Sequence, residues 1–207
     1  MLKIAVVLLV SLALGALLAQ GTGAWPVRPG LFGAALMLAT AVAVRYRWYL
    51  LADAAPGTPE RALWVSLAGN SVVASHLFVV LLHIGPNLMM HTPEVHAMGV
   101  DSWTLVGGSL LAHWVARDPQ PRSDERDQWI AQNGLRAAHY GLLLLLLLQI
   151  LALGFGRSGW VAQLSRPNIA HALILAIIVS VLIDRVVCLR AYSRDAALEE
   201  EQRAAAA

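Results

Sequence analysis

Residues 123–148 read SDERDQWIAQNGLRAAHYGLLLLLLL, a charged opening that runs without a proline into seven consecutive leucines, Leu142–Leu148. Two kinds of solvent are written into one uninterrupted segment. Asp124, Glu125, Arg126 and Asp127 belong in water, whereas the leucine run belongs in hydrocarbon. Pro119 and Pro121 stop whatever precedes them, and Ser123 or Asp124 can cap a new helix. The acidic residues of its first turn then sit at the positive end of the helix dipole. Trp129 and Ile130 can enter the headgroup layer while Arg126, Asp127 and Gln132 stay hydrated. Residues 118–135 therefore read as a cytoplasmic interfacial helix that continues into a membrane span.

The rest of the chain agrees with that reading. Of 207 residues 58% are hydrophobic and 14% charged, with a mean hydropathy of +0.62, against about 45–50% apolar residues in soluble domains. The apolar residues gather in blocks close to the roughly 20 residues that cross a 30 Å hydrocarbon core. The expected fold is an all-α polytopic transmembrane bundle with about six spans, at residues 2–20, 30–50, 62–84, 103–117, 136–156 and 168–190. Residues 191–207 read as a flexible tail, and the chain as a single integral membrane domain.

The span at 103–117 is the shortest and most polar, and the basic residues argue for keeping it. With Lys3 cytoplasmic and six alternating spans, the inner side holds 12 of the 15 Lys and Arg residues, and only Arg28, Arg157 and Arg166 fall outside. That asymmetry is the positive-inside pattern. Removing the fourth span would carry Arg117, Arg122, Arg126 and Arg136 to the outer side. Tryptophans give a second sign: Trp25, Trp103 and Trp160 fall at outer ends and Trp48, Trp64, Trp114 and Trp129 at inner ends, where interfacial belts form. Both termini are then cytoplasmic and the membrane is the bacterial inner membrane. The first apolar block also has the features of a signal peptide, with small residues near Ala19 or Ala24, and retention is the favoured alternative.

Several function classes drop out. The single cysteine, Cys188, cannot form an internal disulfide or a Cys-based metal site. A net charge of +2 spread over loop arginines is a topology signal and suits anionic lipid, with no basic domain or stacking surface for nucleic acid. Ser75, His76 and Ser102 lack the base and orienting group of a nucleophilic site, no Gly-rich phosphate loop opens a helix, and Pro93 interrupts His91-Thr-Pro-Glu94 as a zincin motif. The pattern argues against an enzyme.

Asp124-Glu125-Arg126-Asp127, followed by Ile130, Gly134, Arg136, Tyr140 and the leucine-rich span, resembles the charged box of an uncharacterised family of small bacterial multi-pass membrane proteins. In the last span Asn168-Ile-Ala-His171-Ala-Leu and the closing Tyr192-Ser-Arg194 continue the likeness, which covers about the last 80 residues. His139-Tyr140 stands where that family carries an aromatic pair. Some relatives resemble companions of small transcriptional regulators, so the resemblance implies a regulatory or scaffolding role. The contact surface would then be Asp124, Glu125, Arg126, Asp127, Trp129 and Arg136, facing a membrane or cytoplasmic protein or a second copy of the chain. A purely topological role for these charges is the bland alternative.

Histidines supply the chemical alternatives. His76, His83, His113, His139 and His171 lie in or at the ends of spans, where a polar side chain is costly and invites a functional reading. By depth, His113 and His139 lie towards the inner surface, while His171 with His76 or His83 lies towards the outer one. Such a layout suits a di-haem b-type cytochrome built in a helical bundle. Met89, Met90, His91 and His96 bring soft and borderline ligands of the kind copper prefers into one outer loop. A small transporter is the remaining class, with Asn70, Ser71, Gln149 and Asp184 as the intramembrane polar groups, although no Gly-Pro break marks a midplane site.

Overall fold

Capping chemistry sets the helix starts. In the computed structural model, which describes residues 1–21, 27–50, 58–86, 92–117, 124–156 and 159–206, all regular structure among the described residues is helical. The helices are α1 (Leu2–Gln20), α2 (Pro29–Leu50), α3 (Thr58–Ile84), α4 (Pro93–Ala116), α5 (Glu125–Phe155), the single turn α6 (Gly159–Ala162) and α7 (Arg166–Ala206). At the head of α4 the Thr92 side chain accepts the Val95 N–H at 3.3 Å. Pro93 falls in the first turn, where its missing N–H has no intrahelical partner to lose. At the head of α5, Asp124 Oδ1 accepts the Asp127 N–H at 2.8 Å and Asp127 Oδ2 accepts the Asp124 N–H at 3.3 Å. This reciprocal box satisfies two donors that a helix start otherwise leaves open.

Five of these segments, Leu2–Gln20, Pro29–Arg47, Pro59–Ile84, Glu125–Phe155 and Arg166–Ala196, are long and apolar enough to cross a membrane. α4 is not among them, because Asp101, Ser102, Thr104, Ser109 and His113 dilute its hydropathy. It begins at Pro93, well before residue 103, where its apolar stretch starts. Residues 191–206, which read as a tail from the sequence, are helical and belong to α7.

Interhelical contacts fix the relative directions. α1 runs parallel to α3, with Ser75 Oγ donating to the Leu12 carbonyl at 2.7 Å and Ile4 packed against Leu67. α2 runs parallel to α4, with Gly30 beside Asp101, Ala34 beside Gly108 and Arg45 beside Val115. α3 runs antiparallel to α4, α7 and hence α2, and α5 runs antiparallel to α7. Small residues let α4 approach both neighbours: a side chain at Gly108 would strike Ala34, and one at Gly69 would strike the Ser109 hydroxyl. Membrane helices use the same device, since close backbone approach must replace a hydrophobic driving force between them.

The buried cluster lies among α1 to α4 and includes Leu18, Met37, Val65, Val72, Leu105 and Ala112. Opposite conditions hold on α5, where only Ile130, Gly134 and Ala138 are buried and Leu143, Leu144, Leu147 and Leu148 are exposed. An apolar stripe of that size facing outward requires lipid or another protein.

Candidate functional site

Polar chemistry concentrates at the end of the bundle formed by the start of α3, the end of α4, the start of α5 and the last third of α7. α4 ends there with unpaired carbonyls, and two arginines cover them: Arg45 donates to Val115 O at 2.9 Å and Arg61 to Ala116 O at 2.8 Å. Cations at a helix C-terminus oppose the negative end of its dipole. Arg185 of α7 donates to Asp184 Oδ2 at 2.7 Å and to Ser66 Oγ at 3.0 Å, joining α7 to α3.

The α5–α7 contact is built around Gly134. A side chain there would meet Asp184 Oδ1 and the Cys188 sulfur, so glycine is what allows the two backbones to close. Cys188 is 2% exposed, with its Sγ 3.4 Å from Asp184 Oδ1 and 3.6 Å from the Ile130 carbonyl. Nearer the ends of the pair, Tyr192 donates its phenol to Asp127 Oδ1 at 2.6 Å. Arg126 holds Asp195 Oδ2 through two guanidinium nitrogens, each at 2.9 Å.

The charged box is therefore divided. Asp124 and Asp127 cap α5, and Asp127 and Arg126 also fasten α7. Glu125, Trp129 and Arg136 are exposed, Trp129 by 61%. Trp129, Arg136 and Tyr140 share one face at helical spacing, turned away from the buried Ile130–Gly134–Ala138 stripe.

A cavity of about 550 Å³ opens between the α3–α4 end and the α5–α7 pair. Its apolar lining includes Ala62, Leu63, Ile130 and Leu135, and its polar lining His113, Arg117, Asp127, Asp184, Arg185 and Tyr192. His113 lies in contact with the Ala62 backbone, and its Nδ1 is buried without a hydrogen-bond partner. A buried polar atom left unpaired costs about 1–3 kcal/mol.

The other histidines are dispersed. His76 is 3% exposed within α3, and neither of its ring nitrogens has a partner. Asp101 is close enough to act on its ring electrostatically. His83 is exposed, and His171 Nδ1 lies 2.7 Å from Pro167 O of its own helix. His139 is exposed on α5, its ring edge-on to Tyr140 at a 5.9 Å centroid distance. α4 packs against α2 and α3 while α5 packs against α7, so His113 and His139 belong to separate helix pairs. A second cavity of about 240 Å³, at the opposite end between α3, α5 and α7, is lined almost wholly by apolar side chains with Gln149 and Asn168. It contains no histidine. Of the copper-type loop, Met89, Met90 and His91 lie outside the described residues, and His96 is exposed on the first turn of α4. Among the described residues no three His, Cys, Asp or Glu side chains converge as metal ligands would.

Sequence reasoning missed Arg45, Arg61, Arg117, Tyr192 and Asp195 as parts of this end. Nothing in the local spacing of Arg45, Arg61, Tyr192 and Asp195 announces partners that lie 55 to 70 residues away in the chain. No protein-family model, curated protein or solved structure matches the chain. The functional reading rests on its own geometry.

Proposed function

We propose that the protein is a six-span bacterial inner-membrane protein with both termini cytoplasmic, and that its role is non-catalytic: regulatory or scaffolding, exercised through the cytoplasmic end of the α5–α7 pair. The observation that carries this reading is the length of the pair. α5 has 31 residues and α7 has 41, about 46 and 60 Å at 1.5 Å per residue, against about 30 Å of hydrocarbon. Both helices outrun the bilayer, and the Tyr192–Asp127 and Arg126–Asp195 contacts fasten the surplus into one rigid projection.

The six-span count draws support from α4. It lies parallel to α2 from Gly30–Asp101 to Arg45–Val115 and antiparallel to α3, so it covers the depth that its neighbours cover. All of the arginines that converge on the cavity end fall on the side that the charge asymmetry assigns to the cytoplasm. Trp129, Glu125 and Arg136 form the contact surface, because Asp124, Arg126 and Asp127 are engaged within the chain.

Two measurements test the proposal. Topology reporters fused at Pro59, Thr92 and Gly159 should read inside, outside and outside, and a cytoplasmic Thr92 overturns the map. For the role, a photo-crosslinking residue at Trp129 should capture one defined protein in living cells, and the Arg136→Glu variant should lose that adduct while expression and melting stay unchanged. If position 129 captures only lipid, the projection is an anchor and the regulatory reading fails.

A further inference from the structure

The cavity at the α3–α4–α5–α7 end has a charge arrangement that scaffolding does not use. Each of its carboxylates is already occupied. Asp184 is held by Arg185 at 2.7 Å, and Asp127 by the α5 cap and the Tyr192 hydroxyl at 2.6 Å. The α4 carbonyls that would repel an anion are covered by Arg45 and Arg61. Two basic groups on α4 remain. The Arg117 guanidinium makes no hydrogen bond or ion pair with the described residues, and the His113 ring lines the same space. Two arginines, Arg117 and Arg185, thus line a hollow whose two aspartates already hold partners, and the polar groups left over are basic.

We infer that this cavity binds a phosphate group, with Arg117 and His113 as the direct contacts and Arg185 as the supporting charge. A guanidinium presents a planar fork of donors that matches phosphate oxygens. The volume, about 550 Å³, lies within the usual range for small-molecule sites, roughly 300–1,000 Å³, and exceeds what a bare phosphate needs. Leu63, Ile130 and Leu135 give the rest of the hollow an apolar wall suited to the first carbons of an acyl glycerol. The lining comes from both sides of the gap between α4 and α5, two helices that pack on different partners. The phosphate can belong to an anionic lipid headgroup or to a free phosphate. Only the lipid source depends on the six-span orientation, which brings the cavity to headgroup depth, so the site itself survives a failure of the scaffolding role.

The test uses full-length protein in a non-ionic detergent with three probes: dioctanoyl phosphatidylglycerol, dioctanoylglycerol without the phosphate, and inorganic phosphate. Binding is read by native mass spectrometry and by shift of the melting temperature. The phosphatidylglycerol should bind and dioctanoylglycerol should not. Arg117→Gln and His113→Leu should each weaken binding by about tenfold, the loss expected from one charge-assisted hydrogen bond, while Arg136→Gln, an exposed arginine outside the cavity, should not. Inorganic phosphate binding with the same Arg117 dependence identifies a free phosphate as the ligand; binding of the lipid alone identifies the headgroup. Arg117→Lys, which keeps the charge, should retain part of the affinity and separates loss of contact from loss of fold. Equal binding of dioctanoylglycerol, or an equal loss in Arg136→Gln, overturns the inference.

Discussion

Replacing Gly134 with alanine tests the closest point of the α5–α7 pair. The added methyl would meet Asp184 Oδ1 and Cys188 Sγ, with the Asp184 carbonyl 3.2 Å away. Two terms oppose each other. Alanine is a better helix former than glycine by about 1 kcal/mol, which favours α5 taken alone. Against this, overpacking a close contact costs about 1–3 kcal/mol, and moving the Asp184 carboxylate also weakens its pair with Arg185. That pair is only 16% and 24% exposed at its two side chains, so its loosening adds roughly another 1 kcal/mol. The net expectation is a loss of about 1–3 kcal/mol in α5–α7 association. Cys188 is the single cysteine and is 2% exposed, which makes it a reporter of local opening. A membrane-permeant maleimide should label it about 5- to 150-fold faster in Gly134→Ala, because labelling tracks the open population and each 1.4 kcal/mol is tenfold. If Gly134→Ala labels no faster than the native protein, or melts higher, the two helices do not approach as described and the clamp argument fails with them.

Two further predictions concern the ends and middle of the bundle. The Arg126–Asp195 pair is 44% and 34% exposed, so a double-mutant cycle with alanine should return a coupling below about 1 kcal/mol, whereas Tyr192→Phe should cost about 1 kcal/mol. Both are read by detergent-based thermal unfolding, and a larger coupling for the ion pair than for the phenol would reverse the ranking. His76→Leu removes two buried ring nitrogens that lack partners while keeping an apolar body, and should raise stability by about 1–3 kcal/mol. A lower melting temperature would mean that the imidazole has a partner, such as an ordered water.

How much of this was legible before folding depends on the length scale of each signal. Five long apolar helices were legible because hydropathy is averaged over about 20 residues, and the Asp124 cap because it acts over three positions in sequence. The start of α4 was not, since Pro93 reads as a breaker unless the Thr92 cap before it is recognised, and Asp101 reads as a loop residue unless Gly30 and Arg28 are known to shelter it. The end of α7 was missed for a different reason: beyond Arg190 hydropathy falls, yet helix continues because alanine and glutamate are good helix formers and Tyr192 and Asp195 are tied to α5. The cavity was invisible from sequence because four helices build it. His113 stood out in the sequence as a polar side chain in an apolar segment, but its neighbours Arg117 and Arg185 read as topology signals, which say nothing of the cavity they line.

The sheltering of α4 bears on biogenesis. On the six-span topology, α4 carries Asp101 towards a bilayer that charges a lone aspartate about 2.5–3.5 kcal/mol near the centre of a span. Nothing in its own composition makes partition into lipid spontaneous. What makes entry favourable is a slot already standing, with Ala34 opposite Gly108, Gly69 opposite Ser109 and Arg28 within 3.7 Å of Asp101. On that topology α2 and α3 would have to reach the bilayer first and stand together when α4 emerges. Bulkier residues at Ala34 or Gly69 would then act during synthesis, leaving α4 stranded at the surface and every later segment facing the wrong compartment.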